Sequence, residues 1–126
     1  MNYGPGSKPE WRYKMVDVQF TPEFKRNLRT LAKKYRHIRD DVAPVIRALQ
    51  AGEILGDQIP GVGYTLFKVR VSNQDSAKGK RGGYRIIYYL RTTVNIVLIT
   101  IYSKTEQADI STAQIRRIVD EFRGSE

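Results

Sequence analysis

The stretch Tyr84–Lys104, YRIIYYLRTTVNIVLITIYSK, decides the fold class. It holds two runs rich in Val, Ile and Tyr, Tyr84–Arg91 and Val94–Lys104, separated by Thr92 and Thr93, which is the pattern of a β-hairpin. Upstream, Tyr64–Val71 reads as a third strand of the same kind. Between Gly52 and Gly63 the residues Gly56, Pro60, Gly61 and Gly63 predict an irregular connector. Before it, Val42, Val45, Ile46 and Leu49 form one stripe of a helix over Arg39–Ala51, with Gly52 as its stop. An earlier helix starts at Thr21 as N-cap with Pro22 in the first turn, and carries Phe24, Leu28, Leu31 and Tyr35 at i, i+4, i+7 and i+11. Val16, Val18 and Phe20 alternate with polar residues as a half-buried strand does. Downstream, Ser111 caps a last helix striped by Ile115, Ile118, Val119 and Phe122. The order strand, two helices, three strands, helix predicts an α+β fold. In it a helical hairpin packs on a mainly antiparallel sheet of about four strands, followed by a C-terminal helix.

At 126 residues the chain has one domain's length. Met1–Lys14, with Gly4, Pro5, Gly6, Ser7 and Pro9, reads as a flexible leader, Met15 as a candidate natural start, and 15–126 as the domain. The absence of cysteine excludes disulfides, thiolate zinc sites and cysteine nucleophiles. The apolar runs Ile86–Leu90 and Ile96–Ile101 are far shorter than the roughly 18 residues of a membrane span. No secretory signal pattern stands at the N-terminus. The expected location is the cytoplasm, with no membrane partner. A formal net charge of +9 points to polyanionic partners, nucleic acid first, or to a surface that serves solubility alone.

Side chains alternate across a sheet, so strand register decides which charges meet. In Tyr64–Val71, Phe67, Val69 and Val71 take one face, and Tyr64, Leu66, Lys68 and Arg70 the other. By the same alternation Thr100, Tyr102 and Lys104 share a face, and Arg85 opens the strand between. The segment Lys78, Gly79, Lys80, Arg81, Gly82, Gly83 adds cations and backbone amides suited to phosphate. Tyr84, Tyr88 and Tyr102 are candidates for stacking unpaired bases, or for half-buried packing. Alone, Lys68 and Arg70 read as a solvated sheet face; beside the cationic loop they read as an RNA-engaging pair. Lys25, Arg26, Arg29, Lys33 and Lys34 read as a ribosomal-RNA contact or a solvated helix face. No GxxxxGK[ST] is present, which argues against a nucleoside-triphosphate site. The single histidine, His37, stands beside Asp40 and Asp41 in a pattern better suited to a solvated helix start than to a metal or a Ser/His/Asp triad.

The motifs FKVR, GGYRIIY and IYSK, with the opening VDVQFTPEFKRNL, the middle GDQIPGVGYTLFKVRV and the loop KGKRGGYRIIYYL, resemble the RelE/ParE superfamily of bacterial toxin–antitoxin modules, most closely its HigB-like branch. The resemblance runs from Val16 to Phe122. It implies a RelE-like fold and a translation-blocking toxin that cleaves mRNA on the ribosome, without metal or cofactor. It also implies a cognate antitoxin, expected to bury part of the basic face or displace the C-terminal helix through an acidic or amphipathic segment. By family pattern the catalytic residues are Lys68, Arg70, Arg85 and Lys104, and the residue reading adds Lys78, Lys80, Arg81, Tyr84, Tyr88 and Tyr102 as RNA contacts. The RNA 2′-hydroxyl is the implied nucleophile. Arg85 and Arg70 would stabilise the phosphorane-like transition state. Lys68, neutral among neighbouring cations, would accept the 2′-hydroxyl proton, and Lys104 or a loop lysine would protonate the leaving oxygen; the two roles could be exchanged. Many RNA-cleaving members carry a tyrosine in the C-terminal segment. Here that segment reads Ala108, Asp109, Ile110, Ser111, with Tyr88 or Tyr102 as the candidate replacement. Two other readings remain: a ParE-like inhibitor of DNA gyrase, and a non-catalytic RNA-binding module.

Overall fold

The computed structural model describes residues 15–76 and 82–125. The leader Met1–Lys14 and the loop cations Lys78, Lys80 and Arg81 lie outside them. The elements are β1 (Asp17–Phe20), α1 (Pro22–Lys34), α2 (Ile38–Gln50), β2 (Asp57–Ile59), β3 (Leu66–Val71), β4 (Tyr84–Thr92), β5 (Asn95–Ser103) and α3 (Thr112–Gly124). The five strands form one mixed sheet in the order β1-β5-β4-β3-β2, parallel only where β1 meets β5. The protein is α+β, as its element order predicts.

Burial of apolar side chains assembles three layers. On one face of the sheet, Phe24, Ile38, Val42 and Leu49 of the helical hairpin pack with Val69, Val71, Tyr84, Ile86, Tyr88, Leu98 and Ile101. On the other, Ile115, Ile118 and Val119 of α3 pack with Leu66, Ile87, Tyr89, Val97 and Ile99. Each wholly buried Leu or Ile contributes roughly 1.5–3 kcal/mol. A charge at Ile118 would therefore detach α3. β4 and β5 are covered on both sides and so read as continuous apolar runs instead of a clean alternation.

The helix ends follow the local chemistry. The Thr21 hydroxyl accepts from the Phe24 amide at 3.0 Å and donates to the Ile99 carbonyl at 2.6 Å, so the cap also ties α1 to β5. Ser111 and Gln114 form a reciprocal capping box at the start of α3. Gly52, at φ +91°, ends α2, with the Glu53 amide bonded to the Ala48 carbonyl and its own amide to that of Leu49.

One expectation needs correction. The connector between Gly52 and Gly63 is not wholly irregular, because Asp57–Ile59 pairs with β3 as a fifth strand. Gly and Pro flank that short strand and mask it. Thr100 and Tyr102, opposite Ile87 and Arg85, share a face as alternation predicts, but the pattern breaks on the other side of Thr100. Ile87 stands opposite Thr100 and Tyr88 opposite Leu98, leaving Ile99 as an extra residue on β5. This bulge resets the alternation between Thr100 and Leu98, and the Thr100 hydroxyl accepts from Asn27 of α1 at 3.0 Å.

Candidate functional site

Three neighbouring strands bring Arg70, Arg85 and Tyr102 into one row. Arg70 pairs with Arg85 across β3 and β4, and Arg85 with Tyr102 across β4 and β5. Directly opposed residues project to the same face, with Cβ atoms about 5 Å apart. Lys68, two residues before Arg70, joins that face one step nearer α3. The row lies where the α3-covered core gives way to the 104–110 turn. Arg70 is exposed, whereas Arg85 is only 6% exposed, with Nη1 donating to the Tyr84 carbonyl at 3.1 Å.

The turn supplies a residue that the sequence argument passed over. Asp109 Oδ1 accepts from the Tyr102 hydroxyl at 2.9 Å and from the Ile110 amide at 2.8 Å, and lies 3.3 Å from Lys68 Nζ, with Oδ2 at 3.4 Å. The Ile110 amide foremost, with the Tyr102 hydroxyl and the Lys68 ammonium, holds the Asp109 carboxyl below the ordinary carboxylate range, and together they outweigh the opposing effect of burial. Tyr102 is displaced upward, by burial first and then by the adjacent carboxylate, so it is a neutral donor at ordinary pH. The Lys68–Asp109 pair is exposed and contributes about 0–1 kcal/mol. Its effect is to orient. Lys104 follows Tyr102 on the same strand face, and its ammonium bonds the Ala108 carbonyl, closing the turn that carries Asp109.

Lys68, Arg70, Arg85 and Tyr102 are thus gathered, with Lys104 beside them. Tyr84 and Tyr88 are not. Both are wholly buried on the opposite face. Tyr84 meets Tyr35 edge-on with centroids 5.7 Å apart, while Tyr88 stacks on Phe67 at 5.3 Å and spends its hydroxyl on the Leu55 backbone. Neither presents a ring to a base or a hydroxyl to the row, and Tyr88 is not the replacement for the C-terminal tyrosine. The expectation of a Lys68 surrounded by cations also changes, because the charge against its ammonium is a carboxylate. The signal for Asp109 was its place in ADIS, one acid in an otherwise cationic array, ahead of the Ser111 cap.

Away from the row, His37 Nδ1 lies 2.7 Å from Asp75 Oδ1, and the His37 amide donates to Asp75 Oδ2 at 2.9 Å. Asp41 accepts from both the amide and the side chain of Gln74. These bonds clamp the start of α2 to the segment leaving β3. The α1 cations Lys25, Arg26, Arg29, Lys33 and Lys34 are all exposed. Among the described residues no helix is long and apolar enough to cross a membrane. No family model matches the chain.

Proposed function

We propose that the protein is a metal-independent endoribonuclease of the RelE/ParE type, the HigB-like toxin of a toxin–antitoxin module that cleaves mRNA on the ribosome in the cytoplasm. The observation that carries the reading is the row Arg70–Arg85–Tyr102 with the Lys68–Asp109 pair at its side. A surface that merely attracted polyanions would have no need of a buried arginine in register with an exposed one, nor of a carboxylate among its cations.

In this reading the scissile phosphate lies on Arg70 and Arg85, whose fixed positive charge stabilises the extra negative charge of the phosphorane. The RNA 2′-hydroxyl attacks phosphorus, the bond to the 5′-oxygen breaks, and a 2′,3′-cyclic phosphate and a 5′-hydroxyl result. Asp109 takes the 2′-hydroxyl proton while the Lys68 ammonium gives one to the leaving oxygen. Transfer within the pair then restores both groups, so the proton count closes. A carboxylate held below its ordinary range is a weak base, so the arginines supply most of the acceleration. Tyr102 orients the carboxylate, and Lys104 fixes the turn that holds it. The exposed α1 cations supply a salt-sensitive contact to ribosomal RNA, and a cognate antitoxin is the inhibitory partner.

The test is induction in cells with mapping of mRNA 5′ ends, for the wild type, Arg85→Ala and Arg85→Lys, each checked for folding by circular dichroism. New 5′-hydroxyl ends in codon register, lost in the folded Arg85→Ala variant, are the expected result. RNA binding with no such ends would leave a non-catalytic module in place of the enzyme.

A further inference from the structure

The strand β2 pairs with only part of β3. Asp57 meets Lys68, Gln58 meets Phe67 and Ile59 meets Leu66, so residues 69–71 have a strand neighbour on the β4 side alone. Gly56, at φ +81°, turns the chain off the edge, and a Cβ there would stand 2.2 Å from the Lys68 carbonyl oxygen. Leu55 is held by the Tyr88 hydroxyl, which accepts from its amide at 2.9 Å and donates to its carbonyl at 2.6 Å. The gap between this connector and the first half of α2 is a groove of about 510 Å³, a size typical of small-molecule sites.

Three kinds of group line it. Pro44, Val45 and Leu55 are apolar, Asp41 and Asp57 bring carboxylates, and Arg70 brings the exposed guanidinium of the row. Asp57 stands opposite Lys68 and so projects to the face of Lys68 and Arg70. Among the described residues no cation is paired with the Asp57 carboxylate, and no carboxylate with the Arg70 guanidinium. The Leu90 amide donates to the Thr65 carbonyl at 2.9 Å, which places the odd-numbered residues 65–71 in bonds to β4. Successive residues of an antiparallel ladder direct their backbone groups to opposite sides, so the amides of Arg70 and Ser72 face the groove.

We infer that this groove receives an unpaired RNA base that carries an exocyclic amino group, from a nucleotide whose phosphate rests on Arg70. The inference deepens the proposed function and rests on it for the phosphate. The base lays its face on Pro44, Val45 and Leu55, in the way that splayed bases of single-stranded RNA are packed and read at their edges. Its amino group donates to the Asp57 carboxylate, the pairing by which acidic side chains read cytosine, and the Arg70 or Ser72 amide donates to the adjoining ring nitrogen. Asp41 and Asp57 repel phosphate, so the sugar–phosphate chain stays on the cationic face and only the base crosses the edge of the sheet. Neighbouring strands lie about 4.8 Å apart, so the base fills the place of the strand that is missing beside Arg70. Uracil has a carbonyl oxygen where cytosine has its amino group, and would set an acceptor against a carboxylate.

The probes are 2′-O-methylated trinucleotides of cytidine and of uridine, whose blocked hydroxyls prevent cleavage, and an abasic trinucleotide of the same backbone. Each is titrated to millimolar concentration into the isotope-labelled full chain, with amide shifts read by NMR. The cytidine probe is expected to shift the amides of Val45, Leu55 and Ser72 together with that of Arg70. It should bind about tenfold more tightly than the uridine probe, the usual effect of one hydrogen bond to a charged group. Asp57→Asn, at an exposed position, should bring the two affinities within about threefold, because a carboxamide both donates and accepts. Equal binding of the cytidine and uridine probes by the wild type overturns the inference. An abasic probe that binds as tightly as the cytidine probe also overturns it, leaving a phosphate contact alone. Shifts at Val45, Leu55 and Ser72 in a protein that leaves no 5′-hydroxyl ends would keep the base site and remove the nuclease. New 5′-hydroxyl ends from a protein whose groove amides do not move would keep the nuclease and remove the base site.

Discussion

On the face of the sheet beneath α1 and α2, Tyr84 and Tyr88 are wholly buried and serve as packing. On the face beneath α3, Tyr102 is nearly as buried, at 5% exposure, yet its hydroxyl reaches an exposed carboxylate and its ring ends a row of arginines. The difference is one of coverage. The two-helix layer runs the length of its face, whereas α3 leaves the end near Lys68 and Arg70 open to solvent. A tyrosine on the first face can only stabilise. One on the second face borders the groups to which the proposed chemistry is assigned. The consequence for β4 is direct: Tyr84, Ile86 and Tyr88 face the helical hairpin and Arg85 and Ile87 the α3 side, and of the five only Arg85 joins the row.

The contrast can be broken most severely at Arg85. Arg85→Ala should lower ribosome-dependent mRNA cleavage by about 10²–10³-fold, the usual cost of removing one preorganised charge-stabilising donor, with Arg85→Lys retaining an intermediate rate. A variant that folds and cleaves as the wild type does would empty the α3 face of its assigned chemistry.

The opposite face is tested by Tyr88→Phe, which leaves the Leu55 amide and carbonyl without their shared partner. A stability loss of about 1–3 kcal/mol by urea denaturation is expected, with the cleavage rate per folded molecule unchanged. Loss of cleavage in a fully folded Tyr88→Phe protein would mean that the two faces are not separable.

Asp109→Asn sharpens the comparison within the site. It removes the proposed proton acceptor and the anchor for Lys68 but keeps the size of the side chain, and on the proposed function cleavage should fall about tenfold or more. Because the Asp109 carboxyl is held below its ordinary range in the folded protein, its contribution to stability is full above the ordinary carboxylate value. That contribution is lost as the pH falls through the lowered value. Wild type and Asp109→Asn should therefore differ by a constant amount from neutral pH down to about pH 4 and converge below it. A gap that already closed near neutrality would contradict this assignment. The smallest effect belongs to the exposed Lys34–Glu106 pair, 3.8 Å apart: Glu106→Gln should shift stability by no more than about 0.5 kcal/mol.

The order of elements was legible because local chemistry and burial agree at Thr21, Ser111, Gly52 and along the three long strands. Lys68 and Arg70 could be assigned to one face because β3 alternates cleanly there. Tyr84 and Tyr88 could not be assigned, since β4 is apolar on both faces and a tyrosine in such a run carries no mark of which layer it enters. The bulge at Ile99 leaves no trace in composition, so alternation holds from Thr100 to Tyr102 but cannot be carried across Ile99. Asp109 is in a turn, where side-chain direction depends on backbone bonds that no periodicity encodes. β2 is three residues long and bounded by Gly56 and Pro60, too short to compete with those breakers.

The parallel pairing of β1 with β5 joins residues as far apart as Asp17 and Asn95, 78 positions along the chain. During synthesis β1 and the two helices emerge long before the strand that must sit beside β1, and pairings of such long range form slowly. The row is shared among β3, β4 and β5, and Asp109 follows β5, so no growing chain possesses it. If the row is the nuclease centre proposed above, a protein built in this order is harmless to the ribosome that is still making it, and acquires that reactivity only when the middle of the sheet has closed.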